Sequence, residues 1–339
     1  MNTSGPDSVR RLAVILSLMA AVLLGSLYLG LAAGSTGGDF WSVIRSLGGG
    51  SEDKLLHDII WRLRLPRVLL AALLGATLSL AGMVFQALLR NPLAEPYILG
   101  VSGGSAIGAI IGILMGLARF PGVWLTAFIG SLATLGVLFL MAPGRSFVRS
   151  NTLLLSGVMV NAFCAAVIMF LISMAQDSRL HNIIFWLMGD LAAATNSKMA
   201  GLALTVIPCF VLIFMRSHAM NLLALGSDMA HSMGVSIKRT TIILLAVTSL
   251  MVSATVSYCG LVGFVGLVMP HMLRLILGPD HRVLAPACIL GGAAFMVVCD
   301  VLARTLPAQG EMPVGVVSAL IGAPLFIYLL RKSGKSEGV

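Results

Sequence analysis

Ten stretches of this 339-residue chain are apolar for close to the ~20 residues a helix needs to cross a bilayer. They lie at about 12–33, 66–88, 96–117, 122–142, 152–174, 199–215, 240–259, 262–278, 283–303 and 313–331. From 240 to 278 the apolar pattern is too long for one helix, and Ser257-Tyr-Cys-Gly260 is where it is expected to turn. A further apolar piece, 183–194, is too short to span and reads as a half-helix or interfacial segment. The ~10-residue alternating segments of a membrane barrel are absent. The predicted fold is all-α and polytopic, with about ten transmembrane helices in one domain over 1–339. The first run is long enough to stay as a helix and does not resemble a cleavable signal.

The longest well-defined polar interruption runs from Arg216 to Arg239. Within it Leu222, Leu223, Leu225, Met229 and Met233 fall at helical spacing, and Gly226 and Gly234 punctuate two short helical pieces. Two readings are open. The segment is either an amphipathic helix lying on the headgroups or a module built for a soluble partner to grip.

Composition supports the membrane reading: 58% of residues are hydrophobic and 10% charged, with a mean hydropathy of +1.00. A soluble domain cannot hide that much apolar surface. With ten spans both ends share one side, and its loops collect the larger part of the 22 Lys and Arg, including Arg90, Arg216, Lys238, Arg239, Arg274 and Arg282. That places both termini, and the 216–239 segment, in the cytoplasm. The net charge of +9 then reflects membrane orientation and calls for no nucleic-acid partner.

Arg62, Arg64 and Arg67 crowd one mouth on the opposite side. They either anchor a helix start by snorkelling to lipid phosphates or meet carboxylates of an external partner through bidentate pairs. Arg304 is placed to join them.

Chemistry of other kinds is sparse. The five cysteines lie in or at the ends of apolar runs, and neither they nor the six histidines show metal-ligand spacing, so no metal site is assigned. Gly334-Lys335-Ser336 looks like part of a phosphate-binding loop, but Leu329 stands where the loop needs glycine. No catalytic constellation appears, so energy must come from a partner or a gradient. Gly104, Gly108, Gly112 and Gly116 form a helical stripe suited to close helix packing. A proton-coupled secondary transporter would bury carboxylates along its path; that pattern is missing, which favours an ATP-driven partner.

A set of motifs carries a resemblance. Arg64-Leu-Pro-Arg67, Gly82-Met-Val-Phe-Gln86, Asn91-Pro92-Leu-Ala-Glu95-Pro96 and Leu99-Gly100-Val-Ser102-Gly-Gly104 are followed by Asn221-Leu-Leu-Ala-Leu-Gly226. Then come Gly263-Phe-Val-Gly266, Met269-Pro270-His271, Asp280-His281-Arg282 and Glu311-Met-Pro313-Val-Gly315. Together and in this order they resemble the binding-protein-dependent permeases for iron-siderophores, haem and cobalamin.

That resemblance implies a type II ABC importer permease in a bacterial inner membrane, pairing with an identical copy around the translocation path. It implies two cytoplasmic ATPase subunits that use ATP and Mg, no cofactor on this chain, and a periplasmic binding protein docked on the other face. Asn221, Leu222, Leu223, Ala224, Leu225, Gly226, Met229 and Gly234 match the ATPase-coupling loop. Arg64, Arg67 and Arg304 match the arginines that meet the binding protein. Ser150 and Asn151 align with the cytoplasmic gate, although Arg149 and Asn151 depart from its Ser/Thr-rich pattern. The expected substrate is a bulky metal chelate, ferric siderophore first, with cobalamin or haem as alternatives.

Overall fold

The computed structural model describes residues 6–33, 54–141, 150–307 and 309–336. Each of the ten apolar runs becomes one helix: α1 (Pro6–Ala32), α2 (Leu65–Leu89), α3 (Val101–Leu114), α4 (Trp124–Met141), α5 (Ser150–Ser173), α7 (Asn196–Met215), α10 (Ile237–Cys259), α11 (Val265–Leu277), α12 (His281–Thr305) and α13 (Val314–Ser336). Eight of these are, by length and composition, able to cross a membrane, while α3 and α11 are shorter apolar helices. Among the described residues no strand occurs.

Among the described residues, apart from short helical turns at Lys54–Asp58, Ile59–Arg64, Pro96–Leu99 and Arg119–Val123, the remaining helices are three. Helix α6 (Asp177–Leu187) precedes α7, and the short pair α8 (Ser217–Ala224) and α9 (Ser227–Ser232) fills the 216–239 segment. The expected half-helix at 183–194 begins six residues earlier than its apolar pattern suggested. Its first turns carry Asp177, Arg179 and His181, and it stops at Gly189, whose φ is +81. The predicted turn after 257–260 is real: α10 ends at Cys259 and Gly260 turns the chain with φ +74.

Helix α2 forms the centre. Its best window has the same hydropathy as that of α1, 2.3, yet 83% of it is buried against 17% for α1. Each helix carries two glycines, but Gly25 of α1 faces open space and Gly30 faces valine side chains, whereas those of α2 meet other backbones. Gly75 and Gly82 present no side chain, so α2 lies backbone to backbone on Gly292 of α12 and Gly266 of α11, where a Cβ would overlap a carbonyl oxygen. Three glycines of the stripe, Gly104, Gly108 and Gly112, likewise seat α3 on α4 through Thr126, Gly130 and Thr134.

The loop between α2 and α3 braces the start of α11. Tyr97 Oη donates to the Val262 carbonyl at 2.8 Å and accepts from its N–H at 3.1 Å. Glu95 Oε1 accepts from the Phe264 N–H at 3.4 Å, a carboxylate set at a helix N-terminus. Gln86 Nε2 donates to the carbonyls of Gly266 and Leu267.

Candidate functional site

Helices α2 and α7 both run toward the α8–α9 pair, so their first residues stand at the far end of the bundle, about 30 Å away along the 20-residue α7. Candidate residues gather at both ends.

At the near end, α8 and α9 form a small module with its own core. Leu222, Leu223 and Ala230 are buried together, with Leu88 at the end of α2 and with Val235 and Ile237 packed against them. Gly226, with φ +122, makes the break between the two helices, and Gly234, with φ +84, the break before α10. Only glycine takes such backbone without strain. Leu222 and Leu223 therefore anchor the module from inside and do not lie on its outward face. The outward apolar face is Ala224, Leu225, Met229 and Met233, with Leu225 68% and Met229 54% exposed. Exposed long hydrophobics on a short amphipathic hairpin are what a partner's groove would take.

Asn221 fixes the module to the bundle. Its Nδ2 donates to Asp280 Oδ1 at 2.6 Å, and its Oδ1 accepts from the His281 backbone N–H at 2.8 Å and lies 2.7 Å from His281 Nδ1. Asp280 in turn caps α12 by accepting from the Arg282 N–H at 2.9 Å. Arg282 Nη2 reaches back to His218 Nδ1 of α8 at 2.8 Å. Two motifs quoted separately in the sequence, Asn221–Gly226 and Asp280–Arg282, are thus halves of one hydrogen-bonded joint. The second half carried no site assignment, because nothing in one sequence links positions 59 residues apart.

At the far end, Arg64, Arg67 and Arg304 come together as expected, but they point inward. Arg64 Nη1 donates to the Leu31 carbonyl at 2.7 Å, and Arg304 donates to the carbonyls of Gly30 and Ala33, so both cap the C-terminus of α1. Asp300, fully buried, pairs with Arg67 at 2.9 Å and Arg304 at 3.1 Å. Arg67 also meets Glu311 at 2.6 Å. In this conformation the three guanidiniums are occupied within the chain, with side-chain exposures of 11% for Arg67 and 8% for Arg304. The outward arginine is Arg62, 77% exposed and paired with Asp58 one turn away.

Asp300 is a fully buried carboxylate and Glu95 a half-buried one. Asp300 is neutralised by two arginines. Burial raises the Glu95 carboxyl above its ordinary range, partly offset by the Phe264 N–H. The gate candidates Ser150 and Asn151 open α5, with their side chains outside the described residues, as is all of Arg149. Among the described residues no group of His, Cys, Asp and Glu is arranged to hold a metal.

Residues 19–332 match the model of the FecCD transport family. The chain is 39% identical over 326 residues to the vitamin B12 import system permease protein BtuC of Salmonella arizonae, covering 95% of this chain and 94% of that one. It is 42% identical over 274 residues to the cobalamin import system permease protein BtuC of Halobacterium salinarum, covering 80% and 73%. A solved inward-facing metal-chelate type ABC transporter superposes with a TM-score of 0.85 at 30% identity, covering 94% of this chain and 99% of the other. PsaBC from Streptococcus pneumoniae shares the fold at a TM-score of 0.52 and 17% identity.

Proposed function

This chain belongs to the FecCD transport family, and from that premise we propose that it is the permease subunit of an ATP-driven importer whose substrate is cobalamin or a closely related metal chelate. The observation that carries the proposal is the α8–α9 module: an apolar face of Leu225 and Met229 turned outward on a hairpin locked to α12 through Asn221. A permease without catalytic groups needs such a part to receive the motion of a separate motor. The relatives named for vitamin B12, one bacterial and one archaeal, favour cobalamin over the ferric siderophore that the motifs alone put first.

In this reading the module faces the cytoplasm, two ATPase subunits carrying ATP and Mg seat on it, and a second copy of the chain completes the path. ATP binding draws the ATPases together, and the joint at Asn221 passes that motion to α12. A periplasmic binding protein docks at the arginine end, its carboxylates exchanging with the half-exposed Glu311 for Arg67. The test is reconstitution of the permease with its ATPase and binding protein in liposomes. ATP-dependent uptake of labelled cobalamin that survives collapse of the proton gradient is expected. Uptake of ferric siderophore in its place would reassign the substrate, and uptake driven by a proton gradient without ATP would refute the importer.

A further inference from the structure

Beside α6 lies a cavity of about 280 Å³ that the transport reading does not use. Arg119 at the approach to α4, Arg179 and Trp186 on α6, Asp190 after it, Lys198 in the first turn of α7 and Tyr258 at the end of α10 all line it. It belongs to the face opposite the α8–α9 module, because Lys198 opens the helix that ends at the module.

Its charges do not balance. Asp190 pairs with Arg119 at 2.8 Å and spends its other oxygen on the Ala192 N–H at 2.7 Å. Lys198 donates to the neutral carbonyl of Ala193 at 2.8 Å. Arg179 has no carboxylate within ion-pair distance among the described residues; its guanidinium reaches toward Gly116, 3.7 Å from where a Cβ there would stand. Three cations from three segments therefore face one carboxylate already in use, an excess of positive charge that an anion would offset.

Size and surroundings narrow the ligand. The volume lies at the lower end of the ~300–1,000 Å³ of pockets for drug-sized ligands, which suits a small anionic group better than a bulky chelate. Trp186 and Tyr258 are the aromatic types that settle at headgroup level. Met115, Leu117 and Phe120, beside the cavity, are 67%, 39% and 38% exposed and offer apolar surface leading away from it. We propose that this cavity holds the phosphate group of a membrane phospholipid, with Arg179 and Lys198 on the phosphate and the acyl chains lying along Met115 and Leu117. A guanidinium fork fits phosphate oxygens bidentately, and headgroup phosphates are the anions found where interfacial Trp and Tyr gather.

The test is native mass spectrometry of the full-length permease in delipidating detergent, titrated separately with phosphatidylglycerol and with inorganic phosphate. The expected result is saturable retention of phosphatidylglycerol that millimolar inorganic phosphate does not displace. The Arg179→Gln, Lys198→Gln double variant should weaken it about 30-fold, roughly fivefold for each cation removed, while Arg62→Gln leaves it unchanged. Binding of inorganic phosphate with displacement of the lipid would overturn the lipid assignment, and undiminished lipid retention by the double variant would overturn the site. The displacement arm uses the unaltered chain and decides between lipid and free phosphate; the single variants Arg179→Gln and Lys198→Gln, each expected to weaken retention about fivefold, test the site if the double variant does not fold. The readout is binding, so it is independent of whether cobalamin is the substrate.

Discussion

Replacing Asn221 by alanine should loosen the α8–α9 module without unfolding the bundle. The side chain gives one hydrogen bond to the Asp280 carboxylate and takes one from the His281 N–H. Bonds to charged groups contribute about 1.5–3 kcal/mol and neutral ones about 0.5–1.5. Asn221 is half-buried, so water replaces part of each, leaving a net loss of about 1–3 kcal/mol, or roughly 5- to 150-fold in the equilibrium for opening the joint. Leu222 and Leu223 still hold their small core, so the module should open more often and not detach. Hydrogen exchange read by mass spectrometry on residues 217–232, in nanodiscs, measures this directly. In the assembled transporter, uptake should fall while ATP hydrolysis persists. Since Asp280→Ala breaks the same bond, the double variant should cost less than the sum of the singles. Exchange in Asn221→Ala within about twofold of the unaltered chain, under conditions where the joint sets the rate, would show that this joint carries no strain between module and bundle.

Four further outcomes are expected. Leu225→Glu and Met229→Glu alter exposed positions, so thermal stability should stay within about 0.5 kcal/mol while co-purification of the ATPase is lost; full co-purification would remove the face from the interface. Gly82→Ala drives a methyl into the Gly266 carbonyl and should abolish a monodisperse peak on size-exclusion chromatography, whereas Gly136→Ala, with nothing within 4 Å of the added carbon, should leave that peak intact. Asp300→Asn leaves Arg67 and Arg304 buried without their shared carboxylate and should destabilise by about 3–5 kcal/mol, partly recovered when Arg304→Met is added. Glu95 holds its proton more tightly folded than unfolded, so its contribution to stability falls as pH rises from the ordinary carboxylate range through the raised folded value; Glu95→Gln should flatten the part of a melting-temperature profile that lies above the ordinary carboxylate range.

The helices were legible because a bilayer demands ~20 apolar residues per crossing, and that demand is written locally. Which helix sits at the centre was not, since α1 and α2 reach the same hydropathy and carry two glycines each, and only the fold shows that those of α2 meet other backbones. The module was legible as two glycine-broken amphipathic pieces, but its inside and outside were not. Leu222 and Leu225 are equally apolar, and the first is buried while the second is exposed, because Leu88 and Ile237 arrive from elsewhere in the chain to cover the first. The arginines were found by pattern, but the groups they hold within the chain were not. Positive charge at a helix end reads as outward until the carbonyls of α1 and the carboxylate of Asp300 are seen to receive it.

Helix α12 links the two ends. Its first turn is held by Asn221 through Asp280 and His281, and its last turns present Asp300 and Arg304 to Arg67. At 25 residues it spans about 37 Å, and along its length Gly292 rests on Gly75 of α2 with no side chain between the two backbones. Pro286, in the second turn of α12, donates no intrahelical hydrogen bond and is where the helix can flex. The stretch from there to Asp300 is unbroken by proline and seated on the glycine contact, so it moves as one piece. In the proposed mechanism a push on the module would therefore reach the arginine cluster as a small rotation of α12 about Gly75 and Gly292. The Asp300 pairs with Arg67 and Arg304 are where that rotation would be felt, because a fully buried carboxylate cannot exchange its partners for water without a large cost.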